Sequence, residues 1–317
     1  MSTSTQIQLS DFAADVIEGL SSRPKRIAPR YFYDDLGSAL FEAITLLPEY
    51  GLSRADERLL ARHAPHIATA TGPLSVVAEL GSGSGKKTKH ILRAAASENE
   101  NLLYCPIDVS RAALDACKRQ LEDISTTLPV CGDWLKGLKQ IASRKEDGKL
   151  LLLFLGSSIG NLDRGEIGEF LRGVRENLRP GDFFLLGMDL VKNRDIMLAA
   201  YDDPTGVTAA FNLNLLGRIN RELDADFDLR SFAHEVRWNE DERRIEMHLL
   251  SCRNQDVYIG AAETAFHFDS GETLWTESSH KFTESDLSDF ARSGDFNPIA
   301  TWIDREWPFA EVLWQVP

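Results

Sequence analysis

A chain of 317 residues can bury a substantial core and hold one large or two modest domains. Its 43% hydrophobic and 26% charged residues are an ordinary globular balance, and its formal net charge of -14 argues against general binding to a phosphate backbone, which rests on clustered cations. No run approaches the ~18 apolar residues of a membrane span, and Cys105, Cys117, Cys131 and Cys252 show no C-x-x-C spacing, so no metal, nucleic acid or membrane partner is expected and the thiols read as reduced in a cytoplasmic protein.

Residues 1–8 are polar and lack the apolar core of a signal peptide, and 1–9 are expected to be mobile. Ser10 and Asp11 read as a helix start, after which Phe12, Val16, Ile17 and Leu20 recur at helical spacing. Pro24 and Pro29 break the chain before the cluster Tyr31-Phe32-Tyr33. A second helix is expected over 38–46, ended by Leu47-Pro48-Glu49-Tyr50-Gly51. Ser53 would cap a third, with Leu59, Leu60, His63 and Ile67 on one face.

From Ser75 the texture changes. A buried strand over 75–80 runs into Gly81-Ser82-Gly83-Ser84-Gly85 and a helix from Lys86. The alternation continues with strand 102–108, helix 110–123, strand 128–131, helix 134–143, strand 150–155, helix 164–177 and strand 183–188. Continuous apolar strands between helices predict a parallel sheet covered on both faces, a doubly wound α/β unit. After Asp189 the alternation stops. Residues 196–222 are helical in pattern, interrupted at Asp203-Pro204-Thr205-Gly206, and 235–282 alternate as strands. A helix over 284–293 precedes strands 299–303 and 309–316.

The glycine-rich turn stands where the first strand of such a sheet meets its helix, a place where backbone and ligand approach closely. A P-loop needs G-x-x-x-x-G-K-[ST], and that frame fails at Lys86 and Leu80; the dinucleotide fingerprint fails because Gly81, Gly83 and Gly85 are spaced G-x-G-x-G. An acid before the first glycine, Glu79, with that spacing fits an S-adenosylmethionine loop better, where the carboxylate helps hold the cofactor's amino-acid end directly or through the loop. Asp108, ending the second strand, can accept from both ribose hydroxyls. Its separation from the turn exceeds the usual ~20 residues, which we attribute to the polar extension 95–101. Asp133, followed by Trp134, can accept from the adenine amine while the indole lines the ring. Taken singly, each acid reads more readily as a loop carboxylate or a helix cap; all three at the ends of successive strands favour the cofactor reading.

At these residues the chain resembles the histidine-specific, S-adenosylmethionine-dependent methyltransferase family of the ergothioneine pathway, which makes hercynine, the α-N-trimethyl betaine of histidine. The resemblance runs from about Pro29 to the C-terminus. It is strongest at Tyr31-Phe32-Tyr33-Asp34, Leu47-Pro48-Glu49-Tyr50, the segment 154–162 (Phe-Leu-Gly-Ser-Ser-Ile-Gly-Asn-Leu), Ala200-Tyr201-Asp202-Asp203, Ala210-Phe211-Asn212 and the segment 276–282 (Thr-Glu-Ser-Ser-His-Lys-Phe). It implies a Rossmann-like class I methyltransferase sheet over 56–189 and 282–317. A second, smaller α+β substrate-binding domain over 1–55 and 190–281 would close over it. By motif position, Asn161 and Tyr201 would grip the substrate carboxylate, with Tyr50 and the loop around Gly156 shaping the floor. Tyr33 would lie near the amine and the methyl donor, as catalytic and cofactor contact. Glu277 and Ser279 would bind the imidazole, with Phe211 and Met247 packing its pocket. Glu79, Gly81, Gly83, Lys87, Asp108, Asp133 and Trp134 would hold the cofactor. One departure is Gly51, where relatives often carry another aromatic; a change in loop rigidity rather than chemistry is expected.

The chemistry suits these residue types. A sulfonium is already activated, so the protein chiefly aligns a lone pair with the methyl–sulfur bond. An α-amine is mostly protonated at neutral pH and must lose a proton before each attack; Tyr33 or a water chain could accept it. Three transfers leave no lone pair, and aromatic rings facing the cation would stabilise it by roughly 0.5–2 kcal/mol. Glu277 and Ser279, two apart on a strand, point to one face. A charge-assisted bond from Glu277 is worth roughly 1.5–3 kcal/mol, and a ligand lacking the imidazole nitrogens would leave a carboxylate unpaired. Asn161 could instead cap the helix near Arg164, and His248 and His280 read as strand residues. A monomer with a small amino-acid substrate is expected. The rival functions are methylation of another aromatic amino acid such as tryptophan, and a non-catalytic metabolite sensor.

Overall fold

The computed structural model describes residues 3–97, 99, 102–144 and 148–317. In chain order the elements are α1 (Thr3–Ser21), β1 (Lys25–Arg26), α2 (Asp35–Ile44), α3 (Gly51–Thr71), β2 (Val76–Leu80), α4 (Lys89–Ala96), β3 (Leu103–Asp108), α5 (Arg111–Leu121), β4 (Thr126–Thr127), β5 (Val130–Cys131), α6 (Trp134–Arg144), β6 (Leu150–Phe154), α7 (Arg164–Asn177) and β7 (Phe183–Asp189). There follow α8 (Arg194–Ala199), α9 (Val207–Leu223), β8 (Phe232–Asn239), β9 (Arg244–Ser251), β10 (Gln255–Ile259), β11 (Thr264–Phe268), β12 (Thr273–His280), α10 (Glu284–Ser293), β13 (Asn297–Asp304) and β14 (Phe309–Gln315). They group into two compact units, 1–50 with 193–279 and 51–192 with 280–317.

The larger unit carries a sheet in the order β13-β14-β7-β6-β2-β3-β4, with β5 also beside β3. Strands β2, β3, β4, β5, β6 and β7 pair in parallel, whereas β14 runs antiparallel to both β7 and β13. The leucine run in β6 shows why such strands read as continuously apolar. Leu150, Leu152 and Phe154 enter one core layer, and Leu151, Leu153 and Leu155 enter the other, so helices cover both faces. Because these strands are parallel, the residues that follow β2, β3, β5 and β6 all emerge at one edge. The chain is a mixed α/β protein built on a central mixed sheet.

The smaller unit holds a sheet in the order β1-β12-β9-β8, the hairpin β10-β11, and helices α1, α2, α8 and α9. Here β8 and β9 are antiparallel and β1 joins β12 in parallel. Asp203 stands in the predicted interruption before α9. It accepts from the Thr208 amide at 2.7 Å and from the amides of Thr205 and Val207. Burial pushes its carboxyl up, but these bonds and that from the Thr205 hydroxyl outweigh it and hold the group below the usual carboxylate range.

Several expected boundaries move. Residues 3–9 are helical, the start of α1, because Gln6, Gln8 and Leu9 are good helix formers although the apolar stripe begins only at Phe12; Met1 and Ser2 lie outside the described residues. Helix α2 begins at Asp35, not Ser38, because Asp34 caps it by accepting from the Gly37 amide at 2.7 Å. Helix α3 starts at Gly51, two residues before Ser53. Helix α4 starts at Lys89, not Lys86, since the side chains of Lys87 and Thr88 are tied to Asp56 and Glu79. Of the extension 95–101, Glu98, Glu100 and Asn101 lie outside the described residues.

Candidate active site

The glycine turn leaves β2 with Gly81, Gly83 and Gly85 at φ of +66°, +51° and +73°, values that side chains other than glycine rarely adopt. A Cβ on Gly81 would stand 3.6 Å from the Trp134 indole nitrogen, and one on Gly85 would strike the Cys117 sulfur at 2.7 Å. The turn is therefore pressed against α5 and lies beside Trp134, whose ring packs edge-on to Phe154 at 4.8 Å. Asp108 ends β3 and ties the turn down: one carboxylate oxygen accepts from the Gly83 amide at 3.0 Å and the other from the Ser110 amide at 2.9 Å. Burial raises its carboxyl above the ordinary value, opposed by those amides. A carboxylate offers about four lone-pair sites, and besides Gly83 and Ser110 the Val109 amide also lowers this group, so at least one site remains for a ligand hydroxyl. Asp133 accepts from the Leu135 and Lys136 amides, each at 3.1 Å, and so caps α6 with one oxygen.

Glu79 faces inward. It is 3% exposed and accepts from the Thr88 hydroxyl at 2.7 Å and from the Tyr104 hydroxyl. Burial pushes its carboxyl up to about 7 despite those two donors. Thr88 leads into α4, so Glu79 anchors the start of that helix. Lys87 donates to Asp56, which is fully buried in α3. Burial disfavours the Lys87 charge, but Asp56 outweighs this and keeps the ammonium protonated.

After β6 the chain turns through Gly156 (φ +70°) and Ser157 (φ +59°) into a short 3-10 turn, Ser158–Asn161. The Gly156 amide donates to Asp56 at 2.9 Å, and the Ser157 hydroxyl accepts from the Asp189 amide at 2.9 Å, which offsets the cost of a left-handed serine. Asn161 closes the 3-10 turn, and the cap of α7 is Asp163, not Asn161. His280 bonds the Gly160 carbonyl through its Nδ1 at 3.0 Å.

In the smaller unit, aromatic side chains distant in sequence form one connected group. Tyr33 packs edge-on to Phe41 (5.6 Å) and Phe211 (6.0 Å), Phe41 to Tyr50 (6.4 Å), and Tyr50 to Tyr201 (6.0 Å). The Tyr201 hydroxyl is 2.7 Å from that of Ser279. Tyr50, Tyr201, Phe211, Met247 and Ser279 are buried, and Tyr33 and Glu277 are half-buried. The β12 pleat puts Glu277 and Ser279 on one face. Asn212 donates to His234 Nδ1 at 2.9 Å and to the His248 carbonyl at 3.0 Å, while His234 Nε2 donates to the Tyr201 carbonyl at 2.8 Å. That relay fixes the backbone carrying Tyr201. Asp34 binds both Asn214 and Arg221, so the Tyr33-Asp34 pair is pinned to α9.

Sequence reasoning passed over Asp56 and Glu311. Asp56 sits at helical spacing from Leu59, Leu60, His63 and Ile67, a lone acid in a buried stripe, and Glu311 is a lone acid in an apolar strand; either anomaly could have flagged them. It also passed over the buried triad of Asp189 with Lys192 and Lys281 at the end of β7. Burial raises the Asp189 carboxyl, but the two ammonium groups outweigh it and hold it below the usual range. At Gly51 a side chain meets a steric block: a Cβ there would stand 2.1 Å from the Trp307 ring.

A family model described as "Histidine-specific methyltransferase, SAM-dependent" matches residues 12–316. The chain is 40% identical over 303 residues to a histidine N-alpha-methyltransferase of Mycobacterium tuberculosis, covering 94% of this chain and 93% of that protein. It is 42% identical over 304 residues to the histidine N-alpha-methyltransferase of Mycolicibacterium smegmatis, with the same coverage. Ergothioneine biosynthesis protein 1 of Neurospora crassa is 32% identical over 205 residues, 62% of this chain and 23% of that one.

Proposed function

Because the chain belongs to the histidine-specific, S-adenosylmethionine-dependent methyltransferase family, we propose that it methylates the α-amino nitrogen of L-histidine three times, giving hercynine for ergothioneine synthesis. It is an S-adenosylmethionine-dependent N-methyltransferase. When bound, S-adenosylmethionine supplies an activated methyl group. The residues at the sheet edge fit it: the Gly81–Gly85 turn leaves open space at Gly83, and Asp108 keeps at least one lone pair to spare. In this reading Asp108 accepts from the ribose hydroxyls, Asp133 and Trp134 hold the adenine, and Lys87 and the glycine turn receive the amino-acid end, with Glu79 holding the turn through Thr88.

Within the smaller unit Tyr201 takes the substrate carboxylate and Tyr50 forms the floor; within the larger unit Asn161 and Gly156 keep the roles that the family resemblance gives them. Glu277 and Ser279 bind the imidazole, and Phe211 and Met247 pack beside it. Tyr33 borders the amine and takes or relays the proton lost before each attack. No further partner is needed, and the enzyme acts as a monomer in the cytoplasm. Among the described residues no helix is long and apolar enough to cross a membrane.

The observation that carries this reading is the connected group Tyr33–Phe41–Tyr50–Tyr201–Ser279, which joins substrate residues spread over almost the whole sequence. The test is Tyr201→Phe and Ser279→Ala, assayed for histidine KM. Each is expected to raise KM by about tenfold, the value of one hydrogen bond, while cofactor Kd stays within about twofold; unchanged KM in both would refute the substrate assignment.

A further inference from the structure

Asp56 and Glu311 lie outside every role assigned so far. Asp56 is fully buried in α3, and one of its oxygens accepts from both the Lys87 ammonium and the Gly156 amide. Its other oxygen is buried with no donor among the described residues, and so are both oxygens of Glu311, which is 1% exposed in β14. Glu311 stands opposite Gly187 of β7 in the β14–β7 register, where a Cβ would meet its Oε1 at 2.8 Å, so the glycine makes room for the acid. The two carboxyl groups face each other. Two buried carboxylates in contact cannot both be charged, and buried polar atoms require partners. One proton between them answers both demands.

We infer that Asp56 and Glu311 form a proton-sharing carboxyl pair that positions Lys87 and the Gly156 amide for the cofactor. Burial and the Asp56 charge raise the Glu311 carboxyl well above its usual range, so Glu311 is the neutral member and donates. Asp56 is left with a single charge aimed at one ammonium and one amide. Through it the turn after β2 and the turn after β6 are held from below by one buried anion. The Lys87 side chain is 26% exposed while Asp56 is 0% exposed, so of the two partners only Lys87 reaches solvent. Neither acid touches the reacting atoms. Both are positioning residues, and the inference rests on the reading of Lys87 as a cofactor contact.

The test measures S-adenosylhomocysteine Kd by calorimetry, with kcat and KM, for Lys87→Met, Asp56→Asn, the double variant, Glu311→Leu and Glu311→Gln. Lys87→Met and Asp56→Asn should each weaken binding by about tenfold, and the double variant should be no weaker than Lys87→Met within about twofold, because Asp56 acts through Lys87. The kcat at saturation should fall by less than about threefold, since binding and not the chemical step is affected. Glu311→Leu should weaken binding by about tenfold, and Glu311→Gln, neutral and still a donor, should restore it to within about threefold. Additive losses in the double variant, or a Gln variant as weak as the Leu variant, would overturn the inference. If Asp56→Asn does not fold, the Leu and Gln pair decides. Unchanged binding in Lys87→Met would remove the cofactor role of Lys87 itself, and with it the inference.

Discussion

Replacing Asp108 by asparagine isolates the role of one carboxylate. In the native chain its two oxygens take the Gly83 and Ser110 amides at 3.0 and 2.9 Å, and with the Val109 amide also acting on the group at least one further lone pair remains for a ribose hydroxyl. Asparagine keeps one oxygen and turns an NH2 group toward one of those amides, donor against donor. The variant therefore loses one backbone bond at the sheet edge and at least one charge-assisted bond to the ligand, the latter worth about 1.5–3 kcal/mol. At about 1.4 kcal/mol per tenfold, the Kd for S-adenosylmethionine or S-adenosylhomocysteine should rise by about 10–100-fold. Calorimetry measures this directly, with circular dichroism as the control for folding. A folded variant whose Kd lies within about threefold of the native value would refute the placement of the cofactor at this edge.

Glu277→Ala should raise the histidine KM by about 10–100-fold, the value of one charge-assisted bond, and leave the cofactor Kd unchanged; equal effects on both ligands would contradict the division of roles. Glu79 has a folded-state pKa of about 7 against an ordinary 4.5. Its contribution to stability is thus full below pH 4.5 and is lost as the pH rises through 7, in total of order 3 kcal/mol. Denaturation of the native chain and Glu79→Gln at pH 5 and pH 8 should show the native chain losing ground at the higher pH, and parallel behaviour would contradict the burial argument. Gly51→Ala should destabilise by about 1–3 kcal/mol through its clash with Trp307. The same change in a Trp307→Ala background should cost much less, and denaturant midpoints of the four chains test this.

The parallel sheet was legible because β6 and its neighbours are buried on both faces and so carry uninterrupted apolar runs. Helices α7 and α10 match their expected limits, 164–177 and 284–293, because each is announced by a local capping box: Asp163 with Glu166, and Thr283 with Asp286. Boundaries moved where the cap belonged to something larger, as at Asp34, which serves α2, Asn214 and Arg221 together. Asp108 and the glycine turn could be found from the sequence because they are fixed to strand ends. The partnership of Tyr201 with Ser279 spans 78 residues, and Asp56 meets Glu311 only when α3 and β14 pack in one unit. Without the family resemblance, no local pattern distinguishes Glu277-x-Ser279 from any solvated strand, and none predicts that two acids will share a proton.

The central claim is most directly tested by mass spectrometry of the purified protein incubated with S-adenosylmethionine and each of the twenty amino acids in turn. Stepwise conversion of histidine alone to its mono-, di- and trimethyl forms is predicted. Methylation of tryptophan or tyrosine with histidine untouched would contradict it.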